Sequence, residues 1–90
     1  MRTIWKYKLG PDARQNVFFI PRGAEVLTVQ HQPHTDSVCM WAIVEDTNDV
    51  ERRQFLIAGT GHELPPARLD YVGTFQIDGG SLVFHVLEVS

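Results

Sequence analysis

The sequence has little of what usually stabilises a small domain. Its one cysteine, Cys39, excludes an internal disulfide, and we expect a buried, inert thiol because Cys39 lies inside the apolar run Val38–Val44. Sparse cysteine without disulfides is typical of a reducing compartment, which favours a cytoplasmic protein. A chain of 90 residues buries only about 60% of the surface that its unfolded form exposes, so its core must be thin.

Long apolar runs and a strong charge of one sign are also absent. No stretch reaches the roughly 18 apolar residues of a membrane span, and the polar, charged start does not resemble a signal peptide. The net charge of −3 is too small to favour nucleic acid. We therefore expect residues 1–90 to form a single β domain that contacts neither membrane nor nucleic acid.

The charges are unevenly distributed along the chain. Residues 1–22 carry a net charge of +4, whereas residues 23–90 carry −7. Two interpretations stay open at this point. The segments can neutralise each other across neighbouring strands, or the basic segment can form a stripe that binds an anion.

Apolar residues recur at every second position, and turn signals separate them at intervals of about ten residues. This pattern predicts a small all-β domain, an antiparallel meander forming a barrel or sandwich, with almost no helix. The seven predicted strands are Arg2–Leu9, Gln15–Ile20, Ala24–His31, Val38–Glu45, Glu51–Ala58, Tyr71–Ile77 and Ser81–Val89. Strands four and seven are expected to be central, because strand four is apolar on both faces.

Two turns carry hairpin signals. Pro21-Arg22-Gly23 predicts a tight hairpin between strands two and three, and Asp78-Gly79-Gly80 predicts one between strands six and seven. We expect the core to contain Val26, Val38, Met40, Trp41, Phe55, Ile57, Phe75, Leu82, Phe84 and Val86.

The segment Gly59-Thr60-Gly61-His62 is the candidate ligand site. Glycines on both sides of a hydroxyl let backbone amides face a phosphate or carboxylate. Positive charge would come from Arg68 and from Lys6 and Lys8 of strand one. The candidate ligand-binding residues are thus Gly59, Thr60, Gly61, His62, Arg68, Lys6 and Lys8. The alternative is a loop that needs glycine only for its positive φ.

The sequence gives little support for catalysis or for a metal site. The spacing of His31 and His34 contains a proline and predicts exposed loop histidines rather than a zinc site. His62 and Glu63 point apart in an extended chain, and no serine lies in a nucleophile elbow. We expect no catalytic residues, no metal and no cofactor, and thus a protein that is not an enzyme.

Five segments together resemble a family of small, functionally uncharacterised β proteins encoded by bacteriophages and prophages. They are Ile4-Trp5-Lys6-Tyr7, Pro21-Arg22-Gly23-Ala24, Gly59-Thr60-Gly61-His62, Tyr71-Val72-Gly73-Thr74-Phe75 and Gly80-Ser81-Leu82-Val83-Phe84-His85-Val86. The resemblance covers nearly the whole chain. It implies a non-enzymatic accessory protein of the host cytoplasm, and it carries over no catalytic residue.

The function expected from the sequence is a non-catalytic phage or prophage accessory protein that binds and inhibits a host protein, as in counter-defence. One alternative is a sponge that sequesters a nucleotide-like small molecule, and another is a structural accessory protein of the phage. The partner is therefore a host protein or a small anionic ligand. A homo-oligomer is also expected, because a thin core leaves strand edges to cover.

Overall fold

A computed structural model describes residues 1–10 and 14–90. Its seven strands are β1 (Arg2–Leu9), β2 (Gln15–Pro21), β3 (Glu25–Gln32), β4 (Ser37–Glu45), β5 (Val50–Gly59), β6 (Leu69–Ile77) and β7 (Leu82–Val89). The helical content of the described part is one 3₁₀ turn, Asp78–Gly80. The all-β prediction is confirmed, and every predicted strand is present within two residues of its expected ends. No helix in the described part is long and apolar enough to cross a membrane.

The strands form two antiparallel sheets that face each other as a sandwich. The first sheet has the order β1-β4-β3, and the second has the order β2-β5-β7-β6. β4 and β7 each have a neighbour on both sides, so their predicted central position is confirmed. Because strand residues alternate between faces, one face of each sheet supplies the core between the sheets.

The expected hairpin between the second and third strands is wrong. β2 pairs with β5, and β3 pairs with β4, so the chain passes from one sheet to the other at this turn. The turn itself is tight, since Ala24 N–H donates to the Pro21 carbonyl at 3.2 Å and Gly23 has a φ of 81°. Arg22 N–H donates to the Asp49 carbonyl at 2.7 Å. Turn residues determine a reversal of the chain, but contacts distant in sequence decide which strands pair.

The second predicted hairpin is confirmed. β6 and β7 pair from Leu69 with Val89 down to Ile77 with Leu82. The connection has four residues, and the first three have positive φ, at 54° for Asp78, 65° for Gly79 and 92° for Gly80. The glycines therefore serve the backbone conformation that the sequence indicated.

Most of the predicted core lies between the sheets. Val38, Met40, Phe55, Ile57, Phe75 and Val86 are buried, and Val26 and Phe84 pack against them partly buried. Trp41 is half-buried on the other face of β4. The prediction for Leu82 is wrong, because its position at the first residue of β7 leaves it 46% exposed at the end of the sandwich. Cys39 is buried, as expected.

The two sheets approach closely where β6 passes β3. A Cβ atom on Gly73 would lie 2.7 Å from Cγ1 of Val29, so a side chain there would require Val29 to shift. Each of these strands shifts register nearby, between Val26 and Thr28 in β3 and between Tyr71 and Gly73 in β6. Such bulges bend strands and bring the sheet edges together.

Candidate functional site

A cleft opens between the two sheets at the end of the sandwich that carries the β3–β4 and β6–β7 turns. Its volume is about 550 Å³. Seven residues from both sheets and one turn line it, namely His31, Asp36, Val38, Phe75, Ile77, Leu82 and Phe84. The cleft exists because the inward-facing residues at these strand ends do not fill the space between the sheets.

Five of the seven residues that line the cleft are apolar. Phe75 and Phe84 are direct neighbours across β6 and β7, and their rings stack with centroids 5.6 Å apart and an angle of 23° between planes. Val38 closes the opposite wall from β4, and Ile77 and Leu82 flank the opening. Aromatic and branched walls of this kind suit an apolar group of a ligand.

The polar side of the cleft is a pair formed by His31 and Asp36. Nε2 of His31 lies 2.9 Å from Oδ1 of Asp36. The His31 side chain is only 17% exposed, whereas Asp36 is 92% exposed, so the histidine lies between the carboxylate and the apolar walls. The prediction of an exposed loop histidine is wrong for His31, which belongs to β3 and points inward.

The Gly59–His62 segment forms a tight turn after β5. His62 N–H donates to the Gly59 carbonyl at 3.0 Å, and Gly61 has a φ of 88°, a conformation that requires glycine. Two further amides are also engaged, because Gly59 N–H donates to Nδ1 of His62 and Thr60 N–H donates to the Val83 carbonyl. These amides are therefore not available to an anion in this conformation.

Beside this turn, side chains on the outer face of the second sheet form a continuous hydrogen-bonded chain. Thr60 Oγ1 lies 2.8 Å from Nε2 of His85, and Nδ1 of His85 lies 2.9 Å from Oγ1 of Thr74. Thr74 Oγ1 is in turn 2.7 Å from the Tyr71 hydroxyl. His85 therefore has a hydroxyl partner on both ring nitrogens.

A shallow groove of about 250 Å³ accompanies this chain of hydrogen bonds. We call it the loop groove; its lining comprises Ala58, Gly59, Thr60, Gly61, His62, Leu64, Tyr71, His85 and Leu87. The groove brings four of the candidate ligand residues together, but no arginine or lysine lines it. Its polar groups are hydroxyls and imidazoles.

The other candidate residues lie elsewhere. Lys6 and Lys8 belong to β1 of the first sheet, where they pair with Trp41 and Cys39. Arg68 is 79% exposed, and its Nε lies 3.9 Å from the Asp70 carboxylate. The three cations therefore do not converge on the Gly59–His62 turn.

A different cation contacts the loop after β5. The Arg14 guanidinium donates to the Glu63 carbonyl. Ile57 N–H also donates to the Arg14 carbonyl, at 2.7 Å, which fixes Arg14 beside the end of β5. The sequence gives no local sign of this contact, because it joins residues far apart in the chain.

The sequence pattern also did not identify the seven cleft residues as a group. Val38, Phe75, Leu82 and Phe84 have the pattern of core residues, and that pattern does not distinguish a filled core from an open one. Within the described part of the chain, no three histidine, cysteine, aspartate or glutamate side chains lie close enough to hold a metal ion.

These features define a small antiparallel β-sandwich with a ligand-sized cleft between its sheets. The chain belongs to the family described as Domain of unknown function (DUF7352), whose model matches residues 1–90. No curated protein and no solved structure matched the chain.

Proposed function

We propose that the protein is a non-catalytic binding protein that captures a small molecule in the cleft between its sheets. The observation that carries this proposal is the cleft itself. Its volume of about 550 Å³ is within the range of about 300 to 1,000 Å³ that small-molecule sites occupy. A lining of apolar residues beside a small number of polar side chains, here His31 and Asp36, is also typical of such sites.

Capture is favoured over turnover by the residues at the cleft. Its lining includes no hydroxyl, thiol or amine side chain, and its reactive polar groups are His31 and Asp36 alone. The imidazole of His31 is already bonded to Asp36, and both groups lie at one side of the opening. These contacts suit the orientation of a bound ligand.

The resemblance to phage and prophage proteins supports a biological setting for this activity. A small accessory protein in the host cytoplasm that binds a host signal or metabolite one to one lowers its free concentration without chemistry. Of the functions that the sequence suggested, the sponge therefore has the more specific structural support. Its ligand need not be the anion that the sequence suggested.

The test is to denature the protein purified from bacterial cells, and the same protein after incubation with a bacterial metabolite extract, and to identify the small molecules released by mass spectrometry. Leu82→Trp places a larger side chain at the mouth of the cleft, and Phe19→Trp is the control. Phe19 is 64% exposed on the outward face of β2. We expect about one molecule released per wild-type chain, retained in Phe19→Trp and lost in Leu82→Trp. Release that is absent from the wild type, or equal in all three proteins, contradicts the proposal.

Inhibition of a host protein is the second candidate function. It is favoured by exposed apolar side chains on the outward face of β2, where Val17 is 42% and Phe19 is 64% exposed. Adjacent exposed apolar side chains often mark a protein contact. A host protein recovered one to one with wild type and Leu82→Trp, and lost with Phe19→Asp, would support this function instead of ligand capture.

A further inference from the structure

We propose that the cleft selects an amphiphilic cation, meaning an ammonium group attached to an aromatic or branched aliphatic body. The inference rests on the proposed small-molecule function and adds the chemical class of the ligand. It is carried by the charges around the opening of the cleft, together with the apolar character of its walls.

One carboxylate lines the cleft, and a second lies in the neighbouring turn. Asp36 lines the cleft directly, and Asp78 follows Ile77, another lining residue. No lysine or arginine is among the seven lining residues. Lys8 is next to Leu9, which pairs with Val38, but Lys8 itself pairs with Cys39 and so projects from the opposite face of the sheet.

The two aspartates lie on turns at the same end of the sandwich. Asp36 has a φ of 49° and Asp78 has a φ of 54°, and they are the non-glycine residues with positive φ in the described part of the chain. The Asp78 carboxylate also accepts a hydrogen bond of 2.9 Å from the Ser81 hydroxyl.

Asp36 is the group of the cleft that can bind a cation directly. Its Oδ1 contacts Nε2 of His31, and its second carboxylate oxygen can accept from a ligand ammonium. The apolar body of the ligand then contacts Phe75 and Phe84.

An anionic ligand would be repelled by the negative charge at the opening of the cleft. A phosphate or carboxylate at this opening would meet the Asp36 carboxylate, and no lysine or arginine is among the lining residues to offset the repulsion. Like charges repel each other, although solvent weakens the repulsion at the exposed Asp36. The cleft therefore favours a cation over the nucleotide-like anion that the loop sequence suggested.

The experiment is an NMR titration of the full chain with three probes that share a phenyl ring and a short linker: 2-phenylethylammonium, 2-phenylethanol and phenylacetate. We expect amide shifts centred on Asp36, Phe75 and Phe84. The cation should bind about tenfold more tightly than the alcohol, which corresponds to one charge-assisted hydrogen bond. Phenylacetate should bind most weakly.

A matched pair of variants tests the role of the charge. Asp36→Asn keeps the size of the side chain and tolerates positive φ, and Asp49→Asn removes the same charge at the β4–β5 turn. We expect Asp36→Asn to weaken cation binding about tenfold and to leave the alcohol unchanged, whereas Asp49→Asn changes neither.

The outcomes separate this inference from the proposed function. Equal binding of cation and alcohol, or tightest binding of phenylacetate, overturns the cation selectivity and leaves the cleft as a small-molecule site. An absence of shifts at the cleft with all three probes overturns both. Unchanged cation binding in Asp36→Asn overturns the assignment of the charge to Asp36.

Discussion

Arg53 on β5 binds the Glu88 carboxylate on β7 through two parallel hydrogen bonds. Nε of Arg53 donates to Oε2 of Glu88 at 2.6 Å, and Nη2 donates to Oε1 at 2.7 Å. Nη1 of Arg53 donates to the Ala24 carbonyl at 2.6 Å. Ala24 lies where the chain crosses between the sheets. The arrangement therefore ties the second sheet to the connection that leads into the first.

We predict that Glu88→Gln lowers the free energy of unfolding by about 2 to 3 kcal/mol, because it breaks charge-assisted hydrogen bonds in a pair with side chains 16% and 20% exposed. Urea denaturation followed by tryptophan fluorescence measures the change. Arg68→Gln is the control, since the exposed Arg68–Asp70 pair contributes near zero. Equal effects of the two substitutions would show that the paired geometry of Arg53 and Glu88 does not stabilise the fold.

The burial of the Tyr7 hydroxyl predicts that the folded protein loses stability at alkaline pH. Its hydroxyl oxygen is shielded from solvent without a hydrogen-bond partner in the described structure, and burial raises the pKa of Tyr7 although the Arg53 charge opposes this. The folded pKa is therefore above the unfolded value of about 10. Stability from the neutral phenol is fully present below about pH 10 and is lost as pH rises through the folded pKa.

Tyr7→Phe should remove this alkaline contribution. At neutral pH it should keep or raise stability, by up to about 1 kcal/mol, because it deletes a polar group that is buried without a partner. Urea unfolding at about pH 8 and about pH 10.5 provides the comparison. Tyr71→Phe is the control, because Tyr71 is exposed and its hydroxyl contacts Thr74. A Tyr7→Phe protein with the same alkaline loss as wild type would rule out this source.

The contact between Gly73 and Val29 allows the close packing of the two sheets to be tested by substitution. We predict that Gly73→Ala costs about 1 to 3 kcal/mol, because its Cβ would lie 2.7 Å from Val29 Cγ1 and 3.4 Å from the Val29 amide nitrogen. The double variant Gly73→Ala/Val29→Ala should recover part of that cost, and a double-mutant cycle in urea measures the coupling. Additive losses would indicate that the two residues do not meet.

Gly59 and Gly61 provide a matched pair for the loop groove. We predict that Gly59→Ala turns the His62 ring away, because the new Cβ would lie 2.8 Å from Cε1 and 3.0 Å from Nδ1 of that ring. Gly61→Ala meets no atom within 4 Å, but its φ of 88° costs about 1 kcal/mol of stability. The Cε1 proton resonance of His62 should therefore shift more in Gly59→Ala, and the unfolding midpoint should fall more in Gly61→Ala. The reverse pattern would contradict both assignments.

Local pattern was enough to locate the strands. Alternation at every second residue has only one regular backbone that satisfies it, so β1 and β4 could be placed to within a residue from the sequence. The apolar character of Val38–Val44 on both faces also indicated a central strand. The consecutive glycines at 79 and 80 indicated the β6–β7 hairpin, because few other residues accept positive φ.

Tertiary structure decided three features: the pairing of β2 with β5, the separation of the candidate cations from the Gly59–His62 turn, and the cleft. Pro21-Arg22-Gly23 determines a reversal whether the next strand joins the same sheet or the facing one, so strand partners depend on contacts distant in sequence. Lys6 and Lys8 lie apart from the Gly59–His62 turn because β1 and β5 belong to different sheets. The apolar pattern of Phe75 and Phe84 directs both rings inward, but the volume left between them and Val38 depends on how two sheets meet. The close approach of Gly73 to Val29 is one contact between the sheets, and no local stretch of sequence encodes it.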